Sequence, residues 1–198
     1  MAKVIFDIMR HGDKDGDQLT SKGVGQVRDS AQKNLAGCLY TLAFFSGLVR
    51  ARQTVETCLA ALGHRAVPIL VDEGFSYVTA QKEAEPWMGK PFTALKTEGY
   101  QVGQNVEFWL KNWAPALIIR GQILATMRLR AQMLATADGQ DCRVLVGSHG
   151  PTSELGCCEP ANTPSLREAD MIRYTWEVDQ SGATPPRLLS SVVFRAPY

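Results

Sequence analysis

The sequence predicts an α/β protein with a mostly parallel central sheet and helices on both of its faces. Apolar, strand-like runs alternate along the chain with segments of helical periodicity, beginning with residues 3–9 and the helical pattern "LTSKGVGQVRDSAQKNL". Near the end of the chain, "MIRYTWEV" and "RLLSSVVF" follow each other with only a turn between them. We expect these two runs to add an antiparallel edge to the sheet, with one face covered.

The first part of the chain contains three predicted strands and two predicted helices. Residues 3–9 are rich in Val, Ile and Phe and lead directly into Arg10. Thr20 is suited to cap the first helix. "YTLAFFS" predicts the second strand and leads into "GLVRARQTVETCLAALG", whose apolar residues lie on one helical face. "AVPILVD" then predicts the third strand.

The later part of the chain begins with a segment that has no regular pattern. Residues 73–105 mix Gly, Pro, Lys and Glu with aromatic residues, which predicts a lid-like insertion within a single domain covering residues 1–198. Helical patterns return in "VEFWLKNW" and in "GQILATMRLRAQMLATA". "CRVLVGS" predicts the fourth strand, which leads into His149.

Composition limits the possible functions. The 198 residues are 45% hydrophobic and 21% charged, which is typical of one globular domain with a sizeable core. The formal net charge of +1 gives no reason to expect binding to nucleic acid or to an anionic membrane. An odd number of cysteines, two of them adjacent, favours reduced thiols, and we expect a cytoplasmic protein. No apolar run reaches the roughly 18 residues of a membrane-spanning helix.

Arginine and histidine residues follow three of the predicted strands. Arg10 and His11 follow the first strand, Arg50 follows the second, and His149 follows the fourth. In open α/β sheets, ligand sites gather at the carboxyl ends of the strands, so these groups can converge on one pocket. Two guanidinium groups and two imidazoles suit a phosphoryl dianion, because arginine offers paired donors and keeps its charge.

Within that pocket, His11 is the predicted nucleophile towards phosphorus. Gly12 leaves room for the backbone to approach closely and is grouped with the phosphate-binding residues. We expect Arg10, Arg50 and His149 to bind the phosphoryl oxygens through positive charges that are positioned in advance.

A leaving alkoxide also needs a proton, so a carboxylic acid is expected nearby. Glu73 is the first choice because it follows the third strand at the same sheet edge. Glu83 and Glu85 lie further along the irregular segment and remain alternatives.

Four segments resemble the signatures of the histidine phosphatase superfamily, the phosphoglycerate mutase-like enzymes: "MRHG", "LTSKGVGQV", "FSGLVRARQT" and "VLVGSHG". They occur in the family's order over residues 4–150. The resemblance implies a three-layer α/β/α sandwich, a transient phosphohistidine at His11 and proton donation by Glu73. It also implies phosphate binding by Arg10, Arg50 and His149, without a metal or an organic cofactor.

Some positions depart from the family's pattern. Asp13 stands where Glu or Gln is common, and Gly47 stands where proline usually follows the serine. The segment between Gly12 and Thr20 is shorter than in mutases, where a longer loop grips the substrate. This shortening favours phosphatase over mutase chemistry.

The resulting hypothesis is a phosphatase that hydrolyses a phosphomonoester of a small molecule or phosphoprotein through His11. Three alternatives stay open: mutase-like phosphoryl transfer, a protein phosphohistidine phosphatase, and a phosphate-binding module without catalysis. A phosphohistidine phosphatase would tolerate the loss of Glu73, because imidazole leaves without a donated proton.

Overall fold

The computed structural model describes residues 1–76, 105–113, 115–135 and 140–198. Its strands are β1 (Ala2–Arg10), β2 (Lys14–Asp15), β3 (Gln18–Leu19), β4 (Leu42–Phe45), β5 (Ile69–Val71), β6 (Cys142–Ser148), β7 (Met171–Val178) and β8 (Arg187–Phe194). Its helices are α1 (Ser21–Asn34), α2 (Val49–Ala61), α3 (Val106–Asn112), α4 (Pro115–Leu134) and α5 (Thr152–Leu155). A short 3₁₀ helix spans Glu73–Phe75.

Six strands form the central sheet in the order β5-β4-β6-β1-β7-β8. The pairs β5/β4, β4/β6 and β6/β1 are parallel, whereas β7 pairs antiparallel with β1 and with β8. The predicted sheet with an antiparallel carboxyl-terminal edge is therefore confirmed. All four parallel strands consequently end at the same edge of the sheet.

Helices cover both faces of this sheet, which gives the three-layer α/β/α arrangement. Successive residues of β1 point to opposite faces, so Ile8 and Met9 belong to different hydrophobic cores. On the Met9 face, Val27 of α1 and Val55 of α2 are fully buried. On the Ile8 face, one side of α4 packs against the sheet through a buried row: Ile119, Ile123, Met127 and Ala131.

One helix prediction differs from the structure, and one short helix was not predicted. The Thr20 side chain caps α1 as expected, accepting a hydrogen bond from the backbone N–H of Gly23 at 3.0 Å. Helix α4, however, starts at Pro115 rather than at Gly121. Its first turn is apolar all round, with Leu117 and Ile118 exposed, and so lacks the amphipathic pattern that predicts a helix. Helix α5 is only four residues long, too short for a periodic signal.

The polar segment after Gly12 forms a small hairpin that the sequence analysis treated as a connection. Strands β2 and β3 pair antiparallel through Lys14 with Leu19 and through Asp15 with Gln18. Gly16 in the turn has a φ of +56°, a left-handed conformation that glycine adopts without a steric cost. The hairpin stands beside the edge where the parallel strands end.

Most of the predicted lid, residues 73–105, lies outside the described residues. At its start, the Asp72 side chain accepts a hydrogen bond from the N–H of Gly74 at 3.0 Å and so caps the short 3₁₀ helix. At its end, the Asn105 side chain caps α3 by accepting from the N–H of Phe108 at 3.1 Å. No helix within the described ranges is both long and apolar enough to cross a membrane.

A buried carboxylate ties β1 to its neighbours on the Met9 face. Asp7 is fully buried, and Arg173 of β7 donates to both of its oxygens, at 2.6 and 3.2 Å. The Tyr40 hydroxyl donates to Oδ2 at 2.8 Å, and Arg143 of β6 contacts the same oxygen at 3.3 Å. Because three donors converge on one carboxylate, its charge is well compensated.

Replacing Asp7 with Asn should lower the free energy of unfolding by about 3 kcal/mol, because two partly buried guanidinium groups lose their anion. Urea denaturation followed by circular dichroism measures the change. The matched control is Asp29→Asn on the exposed face of α1, which should alter stability by less than about 0.5 kcal/mol. Equal stabilities for the two variants would contradict the role of Asp7.

Candidate active site

Strand register brings the two predicted catalytic histidines together. In the β1/β6 pair, Arg10 lies opposite Ser148, so His11 and His149 are the next residues at the same edge. The centroids of their rings are 5.4 Å apart, with the ring planes inclined at 57°. Strand β4 ends beside them, because Phe45 lies opposite Gly147. Three neighbouring parallel strands therefore deliver side chains to one place.

The His11 ring is held in a defined tautomer. Its Nδ1 lies 2.8 Å from the carbonyl oxygen of Gly12. Since a carbonyl can only accept, Nδ1 carries the proton and donates it in this hydrogen bond. In the neutral ring, Nε2 then holds the free lone pair, which is the atom a nucleophilic histidine uses.

Burial keeps this ring neutral. It lowers the pKa of His11 to about 4, aided by the positive charges of Arg10, Arg50 and Lys14, while the hydrogen bond to Gly12 opposes the shift. At neutral pH the imidazole is therefore unprotonated at Nε2. A nucleophile in this state needs no separate base.

His149 is buried more deeply and is bound to β4. Its Nε2 lies 2.6 Å from Oγ of Ser46, the residue that follows β4. Burial, followed by the charge of Arg50 and then by smaller effects that include Arg10 and Lys14, holds the pKa of His149 well below its ordinary value. A dianion entering the site would offset these positive charges and favour protonation of His149, which could then donate a hydrogen bond.

Arg10 extends from the end of β1 and is fixed by main-chain acceptors. Its Nη1 donates to the carbonyl oxygen of Leu166, and its side chain is largely buried. Its charge lowers the pKa values of both histidines. The guanidinium therefore contributes positive charge at both imidazole rings.

Arg50 lies in the first turn of α2, which packs very closely on β6. A Cβ added to Gly147 would lie 2.3 Å from the carbonyl oxygen of Ala51, so only glycine allows this approach. The close contact carries Arg50 towards His149. The Arg50 side chain is 12% exposed and forms an ion pair with Asp17 at 2.5 Å.

Gly12 is required for backbone packing. An added Cβ would lie 2.4 Å from the carbonyl oxygen of Gly23 in the first turn of α1. A Cβ on Gly23 would in turn lie 2.0 Å from the carbonyl oxygen of Asp13. The two glycines let the start of α1 press against the loop after His11, which fixes the carbonyl that orients the ring.

The predicted proton donor lies at the rim of the same edge. Glu73 is exposed and opens the short 3₁₀ helix after β5. Its Cγ lies 3.9 Å from the position that a Cβ on Gly47 would occupy, beside the Ser46 that contacts His149. The alternatives Glu83 and Glu85 lie outside the described residues.

Three further residues at this site carry no strong sequence signal. Ser46 could have been noticed as a hydroxyl directly after a buried strand. Lys14 and Asp17 belong to the hairpin after Gly12, where the Asp-Gly pair is a known hairpin signal but says nothing about which groups the hairpin approaches. Their relation to the histidines depends on tertiary packing alone.

Glu154 of α5 is a fourth group that the sequence does not reveal. It is fully buried, and its Oε1 accepts a hydrogen bond from the N–H of Leu166 at 3.1 Å, the residue whose carbonyl binds Arg10. Burial raises the pKa of Glu154 to about 7, although the charge of Arg10 opposes the shift. The carboxyl group therefore titrates near neutrality beneath the site.

Within the described ranges, no group of three or more His, Cys, Asp or Glu side chains is arranged to hold a metal ion. What these ranges do assemble is an excess of positive charge around two neutral imidazoles. Such an arrangement attracts an anion and stabilises negative charge that develops on it.

The raised pKa of Glu154 predicts a pH-dependent stability. The folded state keeps this proton up to about pH 7, whereas the unfolded chain releases it near 4.5. Stability contributed by the protonated form is therefore lost as the pH rises between those values. Glu154→Gln cannot lose a proton, so relative to the wild type its free energy of unfolding should rise by about 2.5 kcal/mol between pH 5 and 8. Chemical denaturation at each pH tests this, and parallel profiles would contradict it.

Comparison with solved structures gives matches over nearly the whole chain. Phosphoglycerate mutase from Bacillus anthracis str. Sterne is 16% identical, with a TM-score of 0.59 and coverage of 96% of this chain and 92% of that one. A mycobacterial glucosyl-3-phosphoglycerate phosphatase complexed with VO3 is 17% identical, with a TM-score of 0.58 and coverage of 97% and 99%. The protein histidine phosphatase SixA complexed with tungstate is 20% identical, with a TM-score of 0.51 and coverage of 94% and 95%.

No protein-family model matches the sequence, and no curated protein is significantly similar to it. The similarity to solved structures nevertheless extends over more than nine tenths of this chain. The chain has the fold of the phosphoglycerate mutase-like histidine phosphatases.

Proposed function

We propose that the protein is a phosphatase that hydrolyses phosphomonoesters through a covalent phosphohistidine at His11. The observation that carries the proposal is the state of this ring. Its Nδ1 proton is engaged by the Gly12 carbonyl, its pKa is lowered to about 4, and it lies 5.4 Å from the His149 ring among cationic side chains. A nucleophile that is neutral and oriented in advance needs little reorganisation before attack.

In the first step, the Nε2 lone pair of His11 attacks phosphorus. The N–P bond forms as the P–O bond to the leaving alcohol breaks, and Glu73 donates its proton to the departing oxygen. Arg10, Arg50 and a protonated His149 hold the three equatorial oxygens and stabilise the charge that they carry.

In the second step, water attacks the phosphorus of the phosphohistidine. The Glu73 carboxylate, left ionised by the first step, takes a proton from this water. The N–P bond breaks, its electron pair returns to Nε2 of His11, and inorganic phosphate leaves. Glu73 is then protonated again, so the cycle needs no cofactor.

The short connection after Gly12 supports hydrolysis over mutase chemistry. A hairpin of two-residue strands spans Lys14–Asp15 and Gln18–Leu19, and α1 begins directly afterwards. A mutase must hold its intermediate in place while the phosphoryl group returns to another oxygen. The small hairpin provides little additional surface for that purpose. Structural neighbours include both mutases and phosphatases, so the fold does not separate the two activities.

Removing the nucleophile tests the mechanism. We expect the wild type to release phosphate from some members of a panel of phosphorylated metabolites, phosphopeptides and an aryl phosphate, and His11→Ala to lose at least about 1,000-fold in kcat. Acid-labile, base-stable labelling of the wild type by a ³²P substrate would identify the phosphohistidine. The control is His64→Ala, a histidine away from the site. Activity that survives in His11→Ala would refute the mechanism, and conversion of phosphate isomers without phosphate release would favour the mutase.

A second candidate is a protein phosphohistidine phosphatase. The exposed position of Glu73 at the rim favours it, because a substrate with an imidazole leaving group needs no strongly held acid. The similarity to the protein histidine phosphatase SixA points the same way.

Glu73→Gln separates the two candidates. If Glu73 protonates an alkoxide, the single-turnover rate of His11 phosphorylation should fall by about 100-fold with alkyl phosphates and little with aryl phosphates, whose leaving groups are weakly basic. Phosphohistidine peptides should phosphorylate His11 at an unchanged rate. Glu56→Gln, an exposed glutamate of α2, serves as the matched control. An unchanged rate on alkyl phosphates would remove Glu73 from the mechanism.

A further inference from the structure

Asp17 lies in the turn of the β2–β3 hairpin and reaches the predicted phosphate site. Its Oδ1 accepts a hydrogen bond from Nη1 of Arg50 at 2.5 Å. Its Oδ2 accepts from the backbone N–H of Val49 at 3.1 Å. One carboxylate therefore binds a guanidinium and a main-chain donor at the start of α2 at the same time.

A phosphoryl group would need the same donors. Arg50 is a proposed ligand of the phosphoryl oxygens, and its charge acts on both histidines of the site. Its Nε is buried and has no hydrogen-bond partner among the described residues. Asp17 occupies Nη1, a terminal donor with which Arg50 would bind a phosphoryl oxygen. Carboxylate and phosphate oxygens both pair with arginine, so the two anions compete for Arg50.

The Asp17 carboxylate can leave without disturbing the elements around it. Its side chain is 42% exposed, compared with 12% for Arg50. The hairpin is anchored by other contacts: the N–H of Leu19 donates to the Gln53 side chain at 2.8 Å, and the N–H of Thr20 donates to the Asp13 carbonyl at 3.0 Å. Rotation of the Asp17 side chain towards solvent would break only its own two hydrogen bonds.

We propose that Asp17 is an internal competitor of the substrate, an anion that a phosphoryl group must displace from Arg50. The proposal rests on the proposed function, in which Arg50 binds the phosphoryl group. The apparent affinity for any oxyanion equals its intrinsic affinity multiplied by the fraction of molecules in which Arg50 is free. Asp17 therefore weakens the binding of every ligand that uses Arg50 by the same factor, and a small oxyanion has no further contacts that compensate for this loss.

Asp17→Asn tests this role, and Asp15→Asn is its matched control, because it removes an equal charge from the same hairpin. Tungstate is a suitable probe, since it remains a dianion at pH 7.5, and isothermal titration calorimetry at low salt measures its dissociation constant. We expect Asp17→Asn to bind tungstate about fivefold more tightly than the wild type, the size expected for loss of a half-exposed ion pair. Asp15→Asn should bind as the wild type does.

A double-mutant cycle identifies the partner of Asp17. In an Arg50→Ala background, Asp17→Asn should leave the tungstate affinity unchanged, because the competition is for that guanidinium. Unchanged or weaker binding in Asp17→Asn alone would overturn the proposal, as would an equal gain in Asp15→Asn. Circular dichroism verifies folding, and Asp17→Ser replaces the first variant with the same expected gain if Asp17→Asn does not fold.

Failure of the proposed function is distinguishable from failure of this inference. A wild type that binds tungstate through Arg50 but releases no phosphate from any substrate would refute the phosphatase while leaving the competition by Asp17 measurable. A wild type whose tungstate affinity does not change in Arg50→Ala would refute Arg50 as an anion ligand, and with it the inference.

Discussion

The parallel pairing of β1 with β6 is the constraint on which the site depends. Seven residue pairs join the two strands, from Val4 with Cys142 to Arg10 with Ser148. Side chains alternate between the faces of a strand, so a shift by one residue would reverse the direction of every side chain on it. The alternating burial of Ile8 and Met9 in separate cores opposes any such shift. The apolar cores therefore fix the distance between two histidines that belong to neither core.

The electrostatics of the site follow from this placement. Burying two imidazoles beside two guanidinium groups makes their protonation unfavourable, which lowers the pKa values of both His11 and His149. The same surroundings that keep His11 nucleophilic make the pocket favourable for an anion. Asp17 of the hairpin partly neutralises this positive charge by forming an ion pair with Arg50. Glu154, whose carboxyl group is affected by the charge of Arg10, has a pKa raised to about 7. Each arginine is thus associated with a carboxyl group: Arg50 with Asp17 and Arg10 with Glu154.

Patterns with a local physical cause were predictable from the sequence. The strand leading to Arg10 could be predicted because a mostly buried strand is rich in Val, Ile and Phe. The cap at Thr20 could be predicted because a hydroxyl satisfies a free N–H at the start of a helix. The start of α4 was not predictable, because an apolar turn with exposed Leu117 and Ile118 carries no amphipathic signal. The antiparallel edge was predictable because its strands alternate polar and apolar residues.

The sequence by itself determined the order of the elements, the mostly parallel sheet and the candidate residues His11, His149, Arg10 and Arg50. These could be identified because strands appear as apolar runs and the charged residues directly follow them. Only the tertiary structure decided which nitrogen of His11 carries the proton, which hydroxyl faces His149 and which carboxylate holds Arg50. The partners Gly12, Ser46 and Asp17 acquire these roles from strand register, close backbone packing and burial. Register, packing and burial all depend on contacts between segments that are distant in sequence, and no local sequence pattern predicts such contacts.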